Sequence, residues 1–141
     1  MVRRIALLIA AALLLTGSTC VPEVPGDQTL GTDQTIENAY EDARHDVQVA
    51  GSGTVTRVLS DDHDGSRHQR FILELASGHT LLIAHNIDVA PRIPDIREGD
   101  VVEFSGVYEY NDQGGVIHWT HHDPDGHHED GWLQHEGTVY E

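Results

Sequence analysis

The chain has 141 residues, with 24 acidic against 8 basic side chains and a net charge of −16 when its histidines are neutral. That length holds one small domain rather than two. The charge argues against a long nucleic-acid partner, which proteins grip with Lys and Arg. It favours solubility and cationic partners such as metal ions.

Residues 1–19 read as an export signal. Arg3 and Arg4 are followed by an apolar run from Ile5 to Leu15 and by the small polar residues Thr16-Gly17-Ser18-Thr19. The run is too short to span a bilayer, which takes about 20 residues. The one cysteine, Cys20, follows directly. Its position points to a bacterial-type lipoprotein, with the membrane met only through a lipid anchor at Cys20. Gly17 stands where such sites usually carry an aliphatic residue, so plain cleavage near Ser18 or Thr19 is the alternative. Either way the expected location is outside the cytoplasm, periplasmic or membrane-anchored. Loss of Arg3 and Arg4 with the leader makes the mature chain two charges more negative.

Residues 20–34, rich in Pro, Gly and polar residues, are expected to form a flexible tether. Residues 35–46 are expected to form one short helix, with Ile36, Ala39, Tyr40 and Ala43 near helical spacing and Asp33 or Thr35 as cap. Residues 47–141 read as a β domain with a histidine-rich C-terminal segment. Val47 to Leu59 is a long strand, bulged or bent at Gly51-Ser52-Gly53. His68 to Ala76 is a second, with Phe71, Leu73 and Leu75 alternating. Ser77-Gly78 turns the chain into a third strand from Thr80 to Ala84, ending at His85. A Pro-rich, irregular connection leads to a fourth strand, Val101 to Tyr110. The turn Asn111-Asp112-Gln113-Gly114-Gly115 leads to a fifth, Val116 to Thr120. In the remainder, Trp132 and Tyr140 are candidate anchors. Five short strands with a glycine-bent first one predict an all-β fold, a small five-stranded OB-like Greek-key barrel with a short N-terminal helix. An open β-sandwich is the competing architecture.

The 11 histidines carry the functional signal. In an OB-like barrel the start of strand two, the end of strand three and the end of strand five share one rim. Arg67-His68, His85-Asn86 and the block His118-Trp119-Thr120-His121-His122-Asp123 lie at those three places. Imidazole is the commonest metal ligand and titrates near neutrality. His85, His118, His121 and His122 are the candidate metal ligands, for a divalent transition metal with Zn²⁺ foremost. His118 and His122 lie about 13 Å apart on an extended strand, too far for one ion with bonds of about 2.1 Å, so the chain must turn near His121, where Asp123-Pro124-Asp125-Gly126 signals a turn. Trp119 reads as a core residue facing away from His118. The exposed histidines His63, His79, His127, His128 and His135 read as loop residues.

Two functions fit. In the first, a metal-dependent hydrolase acts on a phosphodiester in a nuclease-like manner. The ion activates water, His68 or Asp123 is the base or orienting group, and Asn86 and Arg67 position the substrate. In the second, the same rim is a non-catalytic module that binds a metal, a small ligand, anionic ones included, or a partner protein. Neither reading includes an extended nucleic-acid groove.

The stretches Leu59-Ser60-Asp61-Asp62, Arg67-His68-Gln69-Arg70-Phe71, Ala84-His85-Asn86-Ile87-Asp88, Gly106 to Asn111 and Gly115-Val116-Ile117-His118-Trp119-Thr120-His121 resemble a family of small bacterial proteins known as domain of unknown function 3465. The resemblance covers about Val49 to Tyr140. It implies a bacterial, exported or membrane-attached protein and supplies no activity. A likeness to staphylococcal-type nucleases is architectural only, because their catalytic pattern is absent.

Overall fold

A computed structural model describes residues 26–141, with side chains from Thr32 onward. The expected export signal, Cys20 and the first part of the tether lie outside the described residues. The rest of the tether is helical. α1 spans Gly26–Glu41, beginning well before residue 35 and ending before residue 46. No proline follows Pro25 until the barrel is complete through its third strand, so nothing in the chain forbids the earlier start. Asp33 is therefore inside the helix and does not cap it. Its buried carboxylate accepts the Ser77 N–H at 3.1 Å instead. Ala43, at φ 50°, takes the left-handed position that ends the helix.

Seven strands follow: β1 Val47–Val58, β2 His68–Glu74, β3 Thr80–Asn86, β4 Val101–Glu109, β5 Val116–His118, β6 Trp132–His135 and β7 Thr138–Tyr140. β1, β2 and β3 form an antiparallel meander, β3 pairs with β5 in parallel, and β5 and β1 flank β4 on its two edges. The expected five-strand barrel is thus closed. The alternating residues Phe71, Leu73, Ile83, Phe104 and Ile117 fill it, all of them fully buried. Ile36 and Ala39 of α1 join this core.

Two details differ from the sequence expectation. β1 runs against β4 without interruption from Val47 to Thr54, so its glycines form no bulge; the register shift lies between Val55 and Arg57, against β2. The glycines serve close packing instead. A Cβ at Gly51 would stand 2.9 Å from the Phe104 ring. The second difference is β6 and β7. β5 covers only Val107 to Glu109 of β4, which leaves Val102 to Ser105 open, and β6 pairs there. An open edge exposes unpaired amides, and the C-terminal hairpin closes it. Glu136 and Gly137, at φ 49° and 78°, make the tight turn between β6 and β7.

Candidate functional site

Register places the site. His68 lies opposite Asn86, Arg70 opposite Ala84, and Ile72 opposite Leu82. Leu82 lies opposite Val116 and Ile83 opposite Ile117, which sets Ala84 beside His118. Across β5, Val116 faces Glu109. Alternation along each strand turns this set outward and sends Gln69, Phe71, Ile83, His85 and Ile117 inward. The outer face carries two adjoining depressions of about 360 and 270 Å³ that share His68, Ala84 and His118. Asn86, Trp119 and His121 line the first, and Leu82, Val116 and Glu109 the second. Together they form one groove with an apolar floor and a histidine rim. Three separate stretches of chain do meet at one end of the barrel.

The predicted ligand set is nonetheless not assembled. His85 points into the barrel and is fully buried. Its Nε2–H donates to the Pro91 carbonyl at 2.9 Å, and its Nδ1 accepts the Thr120 hydroxyl at 2.8 Å. Both nitrogens are spent, so His85 holds no metal; burial, against the help of these bonds, pushes its pKa down. With Gln69, whose side-chain amide exchanges two 2.9 Å bonds with the Ile93 backbone, it fastens the β3–β4 connection. His122 is exposed and pairs with Asp130 at 2.9 Å, away from the groove. Of the four expected ligands, His118 and His121 remain at the groove.

The expected catalytic set divides in the same way. His68 lines both depressions. Asn86 lines the first, and its Oδ1 accepts the Asp88 N–H at 3.0 Å. Arg67 is engaged twice by Asp88, through its backbone N–H at 2.8 Å and its Nε–H at 2.7 Å, so it forms a surface ion pair and does not position a substrate. Asp123 is not a base in the groove. Its carboxylate accepts the N–H groups of Asp125, His127 and His128 at 3.0, 2.7 and 2.9 Å. These bonds, that of His128 foremost, hold its pKa down.

His118 is the least satisfied member. Its Nε2 is buried without a hydrogen-bond partner, and the nearest carboxylate oxygen, Glu109 Oε1, is 3.5 Å away. Burial lowers its pKa although Glu109 works in the opposite direction. His121 is largely buried, and its Nδ1–H donates to the His122 carbonyl at 2.8 Å. The turn that brings it to the groove is sharper and earlier than expected. β5 stops at His118, and Trp119 adopts φ 53°, a strained value for a bulky residue. Trp119 is therefore no core residue; it is half-buried, lines the groove and stacks on His128 at 4.1 Å. Gly131 makes the turn possible, since a Cβ there would stand 1.9 Å from the Trp119 carbonyl oxygen.

Sequence reasoning passed over one group. Asp123, Asp125 and His127 each offer a ligand atom, all within 4.8 Å of one another, and this group could hold a metal ion. None of the four predicted ligands belongs to it. The spacing of an acid, a second acid two residues on and a histidine after Gly126 was its signal, masked by the reading of the segment as a plain turn.

A family model described as Protein of unknown function (DUF3465) matches residues 20–141. No curated protein matches the chain.

Proposed function

The chain belongs to this family, and from its geometry we propose that it is an exported binding module that takes a small ligand into the outer groove of β2, β3 and β5. One observation carries the reading. His68, Asn86, His118 and His121 come from three stretches of chain to one apolar-floored groove, where His118 Nε2 lacks a partner. A cleft of this size, apolar with a few convergent polar groups and a displaced pKa, is the usual form of a ligand site. Catalysis has less support, because His85, Arg67 and Asp123 are committed to holding the fold. Ala84 is the small residue at the centre of the groove, so Ala84→Leu tests the reading. In the purified protein, a panel of small molecules should shift the imidazole NMR signals of His68, His118 and His121. The same panel should leave the variant unmoved while its thermal transition stays in place. A panel silent on the wild-type protein would end the proposal.

The group Asp123, Asp125 and His127 favours a second reading, capture of a divalent transition metal, with phosphodiester hydrolysis as the chemistry such an ion would supply. A mixed nitrogen and oxygen set suits Zn²⁺ among others, and an ion there would polarise a phosphoryl oxygen or activate water. Elemental analysis of the purified protein, repeated on Asp125→Ala, tests capture. Hydrolysis of a generic phosphodiester, with and without chelator, tests the chemistry. The Arg3-Arg4 leader and Cys20 support export with a lipid anchor in a bacterium. Fatty-acid labelling lost in Cys20→Ser is the expected result.

A further inference from the structure

We propose that a second cleft, between the β3–β4 connection and the C-terminal hairpin, binds a small zwitterion: a molecule such as a free amino acid, with an ammonium group and a carboxylate together. The cleft measures about 370 Å³, within the range of ligand sites. It shares no lining residue with the groove.

His135 is its most buried member. Read from the sequence as a loop residue, it stands instead on β6, opposite Val102 on one side and Thr138 on the other, and is 7% exposed. Its Nε2–H donates to Asp100 Oδ2 at 3.1 Å. That bond sets the tautomer and leaves Nδ1 as an acceptor. Nothing among the described residues donates to Nδ1, and unlike His118 Nε2 it is not sealed from solvent. A carboxylate thus holds one side of a buried ring while the other side awaits a donor from outside.

The charges around this ring are unpaired. Arg67, Arg70 and Arg92 are held by Asp88, the Ser60 carbonyl and Asp61. Arg97, which lines the cleft, differs. Its backbone N–H donates to Asp100 at 2.9 Å, but its guanidinium makes no hydrogen bond or ion pair among the described residues. The carboxylates of Asp95 and Glu136 line the same cleft and are equally unengaged. A simple anion would meet three carboxylates, those of Asp95, Asp100 and Glu136, against one guanidinium. A simple cation would leave that guanidinium unanswered. A zwitterion answers both charges. Its ammonium donates to His135 Nδ1 and a neighbouring carboxylate, and its own carboxylate takes the planar fork of Arg97. Pro94 and the half-buried ring of Tyr140 offer apolar surface to the rest of the molecule.

The test uses the purified protein at about pH 8, above the ordinary histidine range. The imidazole NMR signals of His135 report binding, and those of His118 report the groove separately. The probes are L-alanine, its two fragments ethylammonium and propionate, glucose, and Zn²⁺. Alanine is expected to bind about tenfold more tightly than ethylammonium, since one hydrogen bond between charged groups is worth that much. Propionate should be weakest, and His118 should not move. Arg97→Gln removes an exposed side chain without bonds, so the fold should persist while alanine falls to the affinity of ethylammonium. Ethylammonium binding as tightly as alanine, or alanine binding that survives Arg97→Gln undiminished, overturns the zwitterion assignment. Glucose binding above alanine, or a response of His135 to Zn²⁺ alone, reassigns the cleft to a polyol or a metal and overturns it too. So does silence of every probe, or an alanine response confined to His118. The groove reading stands or falls apart from these outcomes, on Ala84→Leu.

Discussion

His85 and His118 sit one strand apart at the same end of the barrel and were equally good candidates for chemistry. They differ in which side of the sheet they face. His85 points inward, is fully buried, and has spent both nitrogens on Pro91 and Thr120. His118 points outward, keeps a third of its side-chain exposure, and has a buried nitrogen with no partner. A buried polar group left unpaired costs free energy, whereas a paired one costs little. The inner histidine thus serves stability, and the outer one lines the groove. The alternation of a strand, two residues per repeat, separates the two roles.

The largest expected effect is on the inner side. His85→Ala removes a fully buried ring, leaves a cavity, and strands the Pro91 carbonyl and the Thr120 hydroxyl. A loss of about 2–4 kcal/mol follows from the cavity and the unmade bonds together, readable as a lower urea midpoint. The outer side should behave oppositely. His118→Leu removes the orphaned nitrogen and keeps apolar contact, so its stability should be unchanged or higher by up to about 1 kcal/mol, while ligand binding is lost. Equal destabilisation by the two substitutions would erase the distinction between the faces.

Acid should act on both histidines in one direction. Burial lowers the pKa of each below 6.5. Above that value both are neutral, folded or unfolded, and contribute no pH dependence. As the pH falls below it, the unfolded chain takes up protons that the native state refuses, so stability declines toward the lowered native pKa values. Each refused proton gives a slope of at most about 1.4 kcal/mol per pH unit. Glu109, whose native pKa lies below 4.5, adds its own loss only at lower pH, as the carboxylate takes up its proton. Urea midpoints between pH values of about 7 and 5 should fall, and the fall should be shallower in His85→Gln. A flat profile in the wild-type protein would mean that His85 accepts its proton inside the barrel.

The barrel could be read before any coordinates because its signals are local. Phe71, Leu73 and Leu75 alternate, Gly78 and the Gly114-Gly115 pair take the positive φ their turns need, and the prolines mark the irregular connection. The meeting of His68, Asn86 and His118 followed from topology. What could not be read is which nitrogens are free. Thr120 lies 35 residues from His85 in sequence, and only the fold brings the hydroxyl to the ring. Trp119 was misplaced because a left-handed tryptophan is rare, and its position depends on Gly131, far along the chain. β6 and β7 were missed because a polar, acidic tail hides the alternation of Leu133 and His135, and the reason for that hairpin is a gap on β4 that arises only once β5 proves short.

The smallest effect belongs to the loop that follows the groove, where Asp123 and His122 repeat the contrast on a minor scale. Asp123 fastens three backbone N–H groups, and His122 makes one exposed pair with Asp130. His122→Ala should therefore leave the loop and the groove as they are. Asp123→Ala should free the amides of Asp125, His127 and His128, seen as faster hydrogen exchange at those three positions with little change in global unfolding. The loosened loop should also carry His128 away from Trp119, now stacked on it at 4.1 Å, and alter the fluorescence of that indole. Exchange that stays slow at His127 and His128 would show that the Asp123 carboxylate is not what holds the turn. Its oxygens would then be free for an ion shared with Asp125 and His127, and the metal reading would gain on the groove.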